Sequence, residues 1–538
     1  MSSTTVIASR RLRAPVAERS RGRLLGGTPR WLLLVCVLVA AVVVLPVGVT
    51  IAQALEGGIS AAVRAIDASS ARALLLHSVL VAAVAAPLAG VLGVSGAWFI
   101  ERTNLPGRRM WTLLAVAPLT IPLFVTSYAW AILGTLLQGF LGAAGIIAVS
   151  YSPIVFLLVA VALRGMDPAL EESARSLGLS ARQSFFRVIL PQLRPALLGG
   201  MLLVVLDTLV EFDAFVALKY QTFTVHIYAQ YELSFSASGA AALSFFSILL
   251  CVVLLFGESR LRGGSNYTRV SQGVRRPLTR YRLGRATPLV LAGFALEAAI
   301  GVGVPLATLV YWFTQSSQAG LAGASASVHY LAPAALTSLA LGVGSALLAL
   351  VFALPVAFLV VRHKGRMSTF LERATYLSFA LPDLVAAIAL AYAASHYAPH
   401  LYGSIALLVL AEAMLFVPFA IVALRASIGQ IEPALEDSAR SLGLGPLRTF
   451  ARVTMPLARP GLVAAGVLVF AFVLGDLGTA QVLLPAGLYT LGTEFQANAA
   501  TVAFAAAAPF AAALVALSML ATYVLTTRFG RVRALGEG

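Results

Sequence analysis

Twelve charge-poor apolar segments dictate what this chain can become, because each is long enough to cross a bilayer as a helix. They lie near Trp31–Ile51, Leu74–Ile100, Trp111–Leu136, Gly145–Leu163, Ala196–Leu218 and Ala240–Phe256. A second set follows near Pro288–Trp312, Ala335–Val361, Ala374–Ala394, Gly403–Leu424, Gly461–Leu484 and Thr501–Leu525. Charged residues make up 11% of the 538, against about 25% in a soluble domain, and 59% are hydrophobic. A water-soluble globule cannot hide that much apolar surface, and no large soluble domain fits beside the segments.

The placement of basic residues tests the count. If both termini are cytoplasmic, the inner gaps and tails hold 35 of the 38 Lys and Arg residues; only Arg64, Arg72 and Lys219 fall elsewhere. Dropping one helix would invert every later loop and destroy this asymmetry. The expected fold class is therefore an all-α polytopic membrane protein of 12 transmembrane helices, multi-pass in a bacterial plasma membrane. A net charge of +16 would suggest nucleic acid in a soluble chain, but here it marks inner loops, so no nucleic-acid partner is expected beside membrane lipid. The basic stretch before Trp31 looks like a signal peptide, but the apolar run after it is too long and lacks a cleavage site, so it reads as an uncleaved first helix. Cys36 and Cys251 lie inside apolar runs and read as buried spectator thiols.

The twelve segments form two parallel six-helix repeats. Pro168-Ala-Leu-Glu-Glu-Ser-Ala-Arg-Ser-Leu-Gly-Leu179 recurs as Pro433-Ala-Leu-Glu-Asp-Ser-Ala-Arg-Ser-Leu-Gly-Leu444, identical at 11 of 12 positions and offset by 265. An even number of helices per half gives both copies the same orientation. The expected organisation is a basic tail over 1–30, a first half over 31–258, a polar linker over 259–286 and a second half over 287–538. The repeated loops occupy 166–195 and 431–460.

Each loop reads as helix, glycine turn, helix. Asp167 can cap the first helix, Pro168 suits its first position and Gly178 its end; Ser180 and Gln183 fit a capping box for a second helix running to Pro191. Leu170, Ala174 and Leu177 share a face by spacing, with Glu171, Glu172 and Arg175 around the rest. In the other copy Glu432-Pro433 opens, Gly443 closes and Gly445-Pro446 replaces the capping box. An isolated helix this short is marginal in water. Two near-identical copies fit docking into two similar sites on a symmetric partner; a duplicated re-entry loop with no partner is the plainer alternative.

These residues resemble the Glu-Ala-Ala, three residues, Gly, nine residues, Ile-x-Leu-Pro pattern of permease subunits of binding-protein-dependent ABC importers. The first copy is Glu172-Ser173-Ala174, Gly178 and Val188-Ile189-Leu190-Pro191; the second is Asp437-Ser438-Ala439, Gly443 and Val453-Thr454-Met455-Pro456. The resemblance covers nearly the whole chain from Leu74 onward. It implies a type I ABC importer permease fold with two permease domains fused. It further implies that the loops are coupling helices seated in two copies of a cytoplasmic ATPase, through Glu171, Glu172, Ala174 and Gly178 and through Glu436, Asp437, Ala439 and Gly443. An extracytoplasmic binding protein or lipoprotein would deliver the cargo. No Lys here follows a Gly, so the chain has no P-loop, and ATP and Mg are expected on the partner, with no cofactor in this chain and no bond chemistry of its own.

Carboxylates inside apolar segments are costly and normally face a cavity or a partner. Asp207, Glu211 and Asp213 lie in the fifth segment, Asp383 in the ninth and Glu412 in the tenth, and Asp476 aligns with Glu211 at the offset of 265. Glu211 and Asp476 are therefore candidate pathway residues between the halves; a structural hydrogen-bonded network is the alternative. Pro122 and Pro382 sit in matching places, predict kinks there and complete the candidate pathway set. His226, His329, His396 and His400, with neighbouring tyrosines, can ligate metals but are also ordinary interfacial residues, and no metal site is assigned. For cargo, Ile121-Pro122-Leu-Phe-Val-Thr-Ser-Tyr-Ala-Trp130, Asp207-Thr-Leu-Val-Glu-Phe-Asp213 and Phe223-Thr-Val-His-Ile-Tyr228 resemble the ferric-iron group. Thiamine and 2-aminoethylphosphonate permeases share the architecture. An ion-coupled secondary transporter is the distant alternative, and it predicts no paired docking loop.

Overall fold

The computed structural model describes residues 29–56, 69–166, 168–234, 237–261, 280–316, 321–363, 365–429 and 431–534. Most of the basic tail, Arg64, Asp167 with its expected cap, and linker residues 262–279 lie outside the described residues. Among the described residues the regular structure is helical, and the one β-type pairing joins Thr103 to Tyr281.

Nine helices among the described residues are long and apolar enough to cross a bilayer. They coincide with the first, second, fourth, fifth, seventh, eighth, tenth, eleventh and twelfth apolar segments. The other three are helical but are not straight spans. The third is split into Arg108–Thr120 and Leu123–Ala131, which meet at 87°. The ninth is split in the same way, between Leu377–Ala380 and Asp383–Tyr397. The apolar part of the sixth is short, over Gly239–Leu254. Among the described residues nine helices, or ten with the bent pair counted as one span, are long and apolar enough to cross, short of the expected twelve.

The cause of both splits is proline. Pro122 and Pro382 offer no backbone N–H, and each pushes the residue before it out of the helical region. Ile121 is extended at φ −93°, ψ 120°, and Leu381 at φ −104°, ψ 127°. The kinks expected at these prolines are therefore full breaks.

Within each half the second, fourth and fifth helices form a tight trio. These are Ser69–Arg102, Phe140–Gly165 and Leu190–Val210, then Leu321–Arg362, Ile405–Gly429 and Met455–Gly475. The first helix of each half reaches across. Arg30–Glu56 buries Leu32, Cys36, Val39, Ala40 and Val43 in a core otherwise built from the second half. Reciprocally, Val302, Leu309 and Trp312 share a core with Ile121, Phe124, Val125 and Ala129 of the first half. Each half thereby buries part of its apolar surface only in the presence of the other. Cys36 and Cys251 are free and buried, as expected.

Candidate functional site

The repeated motif folds the same way twice. The first loop has a helix over Pro168–Ser176, then Ala181–Ser184; the second has Pro433–Ser441, then Pro446–Thr449. Gly178 and Gly443 end the first helices at φ +87° each, a left-handed turn that a side chain would strain. There the N–H of Leu179 donates to the Ala174 carbonyl and that of Leu444 to the Ala439 carbonyl, both at 3.2 Å. The expected capping box is present: Ser180 N–H donates to Gln183 Oε1 at 2.9 Å, and Gln183 N–H to Ser180 Oγ at 3.3 Å.

One expectation is corrected here. The second helix of the loop does not stop at Pro191. It passes through a π turn, Phe185–Ile189, straight into the fifth span, and the other half repeats this with Phe450–Thr454. The proline stands at the start of the new α-helical register, where its missing donor is tolerated. The second helix of each loop is therefore continuous with a membrane span.

The predicted docking residues divide into two sets. Glu172 and Asp437 are exposed, as are Leu177 at 85% and Leu442 at 86%. Ala174 and Ala439 are buried, so the anticipated Leu170–Ala174–Leu177 face is not one continuous surface. Glu171 and Glu436 are also buried, and they hold the loop to the body from beneath. Glu171 pairs with Arg102 and accepts a hydrogen bond from the Tyr281 hydroxyl. Glu436 pairs with Arg362 at 2.8 Å and accepts from the Thr454 hydroxyl at 3.0 Å. Neither glutamate is available to a docking partner. A second ring of pairs braces the inner ends of the fourth and tenth helices, Arg164 with Glu101 and Arg425 with Glu372. Arg102, Arg362, Thr454 and Tyr281 were not found by sequence reasoning; only the internal repeat, which brings Arg102 and Arg362 to similar places, held a trace of them.

Midway between the halves lies a cavity of about 130 Å³, lined by Asp207, Glu211 and Asp213 from the first half and Asp383 and Asp476 from the second. No Arg, Lys or His lines it. The two candidate pathway residues are thus brought together, and Pro122 joins them; Pro382 stands between two lining residues, Leu381 and Asp383. Four helix breaks open onto this space. Besides the two proline breaks, Leu190–Val210 ends at Glu211 before Asp213–Ala217, and Met455–Gly475 ends at Asp476 before Gly478–Leu483. Irregular backbone at this depth is tolerated where it lines a cavity.

The carboxylates help to satisfy that backbone. Glu211 Oε1 accepts the Ala214 N–H at 2.9 Å and Oε2 accepts the Tyr151 hydroxyl at 3.3 Å, while Asp383 Oδ1 accepts the Leu384 N–H at 2.7 Å. Among the described residues Asp213 Oδ1 has no hydrogen-bond partner, while Glu412, Asp476 and Asp383 lie carboxyl against carboxyl within hydrogen-bonding reach. The lining is a cluster of carboxyl groups with no basic side chain among the lining residues to pair with them. Among the described residues no three His, Cys, Asp or Glu have the spacing to hold a metal ion. His396 is occupied with the Tyr392 carbonyl at 2.9 Å, and Pro399 follows a helix that has already ended at Tyr397, so His396 and His400 do not share a helical face.

The chain matches the family model described as binding-protein-dependent transport system inner membrane component twice, over residues 89–260 and 349–531. It is 33% identical over 498 residues to the Fe(3+)-transport system permease protein FbpB 2 of Haemophilus influenzae, spanning 92% of this chain and 98% of that one. It is 27% identical over 346 residues to the ferric transport system permease protein FbpB of Actinobacillus pleuropneumoniae, covering 61% of this chain and 50% of that relative. A sulfate transport system permease protein, CysT of Salmonella typhimurium, is 30% identical over 206 residues, 34% of this chain and 74% of its own length. Both matched segments contain one repeat loop and one face of the cavity, and the chain belongs to the binding-protein-dependent transport system inner membrane components, with two such domains fused in one polypeptide.

Proposed function

We propose that this chain is the complete membrane pathway of an ATP-driven importer for ferric iron. It crosses the membrane twelve times, counting the two broken helices and the short sixth one as spans, with both termini cytoplasmic. An external binding protein presents the cargo on the outer face. Two copies of an ATPase, which carry the ATP and Mg, dock on the two repeat loops through Leu177 with Glu172 and Leu442 with Asp437, the residues left exposed there. Because the second helix of each loop runs without interruption into a span, a tilt of that helix becomes a tilt of the helix that ends at Glu211 or Asp476. The buried pairs below the loops transmit the same tilt to the second helix of each half.

The observation that carries the cargo assignment is the cavity. Five carboxylates and no basic side chain favour a cation and disfavour sulfate or a phosphonate, although sulfate permeases are among the relatives. Its volume of about 130 Å³ also lies below the ~300–1,000 Å³ of organic-ligand pockets, which disfavours thiamine. Two relatives matched over 498 and 346 residues are ferric permeases by name.

The experiment is uptake of radiolabelled ferric iron in cells lacking the chain, complemented with wild type, with Glu211→Gln and Asp476→Asn together, or with Glu172→Ala and Asp437→Ala together. Wild type should restore uptake. The loop variant should insert normally and transport nothing, a loss of at least about a hundredfold if both docks fail. Normal iron uptake without the chain, with thiamine or sulfate uptake reduced, would overturn the cargo. Full transport by the loop variant would overturn the docking assignment.

A further inference from the structure

The two repeat loops are fastened to the body by different chemistry, and the difference falls on one position. In the second loop Glu436 receives its hydroxyl hydrogen bond from Thr454, the last residue of the π turn Phe450–Thr454. The same place in the first half, 265 residues earlier, is Ile189, the last residue of the π turn Phe185–Ile189. Ile189 is fully buried and has no hydroxyl to give. Glu171, the counterpart of Glu436, would therefore keep its arginine and lack its hydroxyl donor. It does not lack one, because Tyr281 supplies it.

Tyr281 comes from neither loop. It lies at the far end of the segment joining the halves, just before the first helix of the second half, and it is half-buried and held by several contacts. Its N–H donates to the Arg102 carbonyl at 2.8 Å, and its own carbonyl accepts the Asn104 N–H at 3.0 Å. Asn104 Oδ1 then accepts the Leu283 N–H at 2.9 Å. The ring lies beside Trp98, with centroids 5.7 Å apart, and the Arg175 guanidinium of the loop helix sits 5.5 Å from its centre. Packing alone accounts for the ring. It does not account for a phenol aimed at a buried carboxylate already paired with Arg102.

We propose that Tyr281 is a positioning residue for the first repeat loop, supplying the hydroxyl that Ile189 cannot and so tying that loop to the junction between the halves. The second loop is set by its own π turn and needs nothing from the junction. The two docking loops, nearly identical on their exposed faces, are thereby under separate control. This inference does not depend on the cargo, and its first readout does not depend on the ATPase.

The test is amide hydrogen exchange on the full chain in lipid nanodiscs, comparing residues 168–184 with 433–449. Tyr281→Phe keeps the ring and removes the hydroxyl. It should speed exchange in the first loop about tenfold and leave the second unchanged. Adding Ile189→Thr should restore the first loop, because the hydroxyl then comes from the π turn as in the other half. Thr454→Val should do the mirror experiment, loosening the second loop alone. Unchanged exchange in Tyr281→Phe, equal loosening of both loops, or no rescue by a folded double variant would overturn the proposal. If the double variant does not fold, Tyr281→Phe and Thr454→Val must still act on opposite loops, and failure to do so overturns it equally. In whole cells, uptake should fall with Tyr281→Phe and return with Ile189→Thr.

Discussion

The repeat loops and the cavity-side helix breaks are both duplicated, and they have diverged in opposite ways. The loops agree at 11 of 12 positions, yet the hydroxyls that brace their buried glutamates come from different parts of the chain. The breaks share little sequence, yet their backbones coincide. Ile121-Pro122-Leu123-Phe124 and Leu381-Pro382-Asp383-Leu384 have only the proline in common, but Pro122 lies at φ −51°, ψ 135° and Pro382 at φ −53°, ψ 136°. Glu211-Phe212-Asp213 and Asp476-Leu477-Gly478 share no residue, and both interrupt a span at the same offset. A surface read by another molecule holds its exposed side chains fixed and leaves its supports free to change. A cavity needs only the interruption and the sign of the charge, so its sequence drifts while its backbone does not.

The sharpest way to break that comparison is to remove the arginines beneath the loops. Arg102→Ala and Arg362→Ala each strand a buried glutamate, a change on the order of 3–5 kcal/mol. Each should unseat its own loop and leave the other in place, read as the mobility of a spin label at Leu177→Cys and at Leu442→Cys. If both labels loosened together, the loops would be one unit and the contrast would fail.

A smaller effect is expected at the cavity. A Cβ on Gly478 would stand 2.8 Å from Asp383 Oδ2, so Gly478→Ala must displace a carboxylate or the helix carrying it, at about 1–3 kcal/mol. Transport should fall while both loop labels keep their wild-type mobility. A loosened loop in this variant would mean that the cavity and the docks are not separable.

The smallest effect concerns pH. His363 follows the span that carries Arg362; burial first, and Arg440 second, hold its pKa below the ordinary 6.5, while Glu436 partly opposes them. The fold therefore favours the neutral imidazole. Its contribution is complete above pH 6.5 and diminishes as the pH falls below that value, because the unfolded loop then takes up the proton more readily. The label at Leu442→Cys should become more mobile between pH 7.5 and 5.5, while the label at Leu177→Cys, with no histidine in the anchor of its loop, should not. Equal sensitivity of both labels would remove His363 as the cause.

Periodicity and charge made the helices legible, since each of the twelve apolar segments is helical, and the exact repeat made both loops legible down to the glycine turns and the capping box. Single-residue chemistry also told: Pro122 and Pro382 announced the breaks, and intramembrane carboxylates announced the cavity. What could not be read was anything that depends on which residues meet. Glu171 and Glu172 are neighbours of the same type, and only packing decides that the first is an internal anchor and the second an exposed contact. Tyr281 looked like part of a polar spacer because no local pattern marks a residue whose partner is 110 positions away. The π turns were hidden too, since a helix that absorbs one extra residue keeps its apolar character.

The first helix, Arg30–Glu56, buries part of its face against Ala237–Leu261 of its own half and part in the half of the chain that is synthesised last. Between Trp31 and Ala54 it carries no charged residue, and its two most polar side chains, Thr50 and Gln53, are buried in the finished protein. During biogenesis this helix leaves the ribosome several hundred residues before its seat is complete, so it must wait in the lipid. An almost wholly greasy rod can do so without aggregating or slipping back through the translocon. A polar substitution on its buried stripe would be felt first as a failure of membrane insertion and only later as a failure of packing.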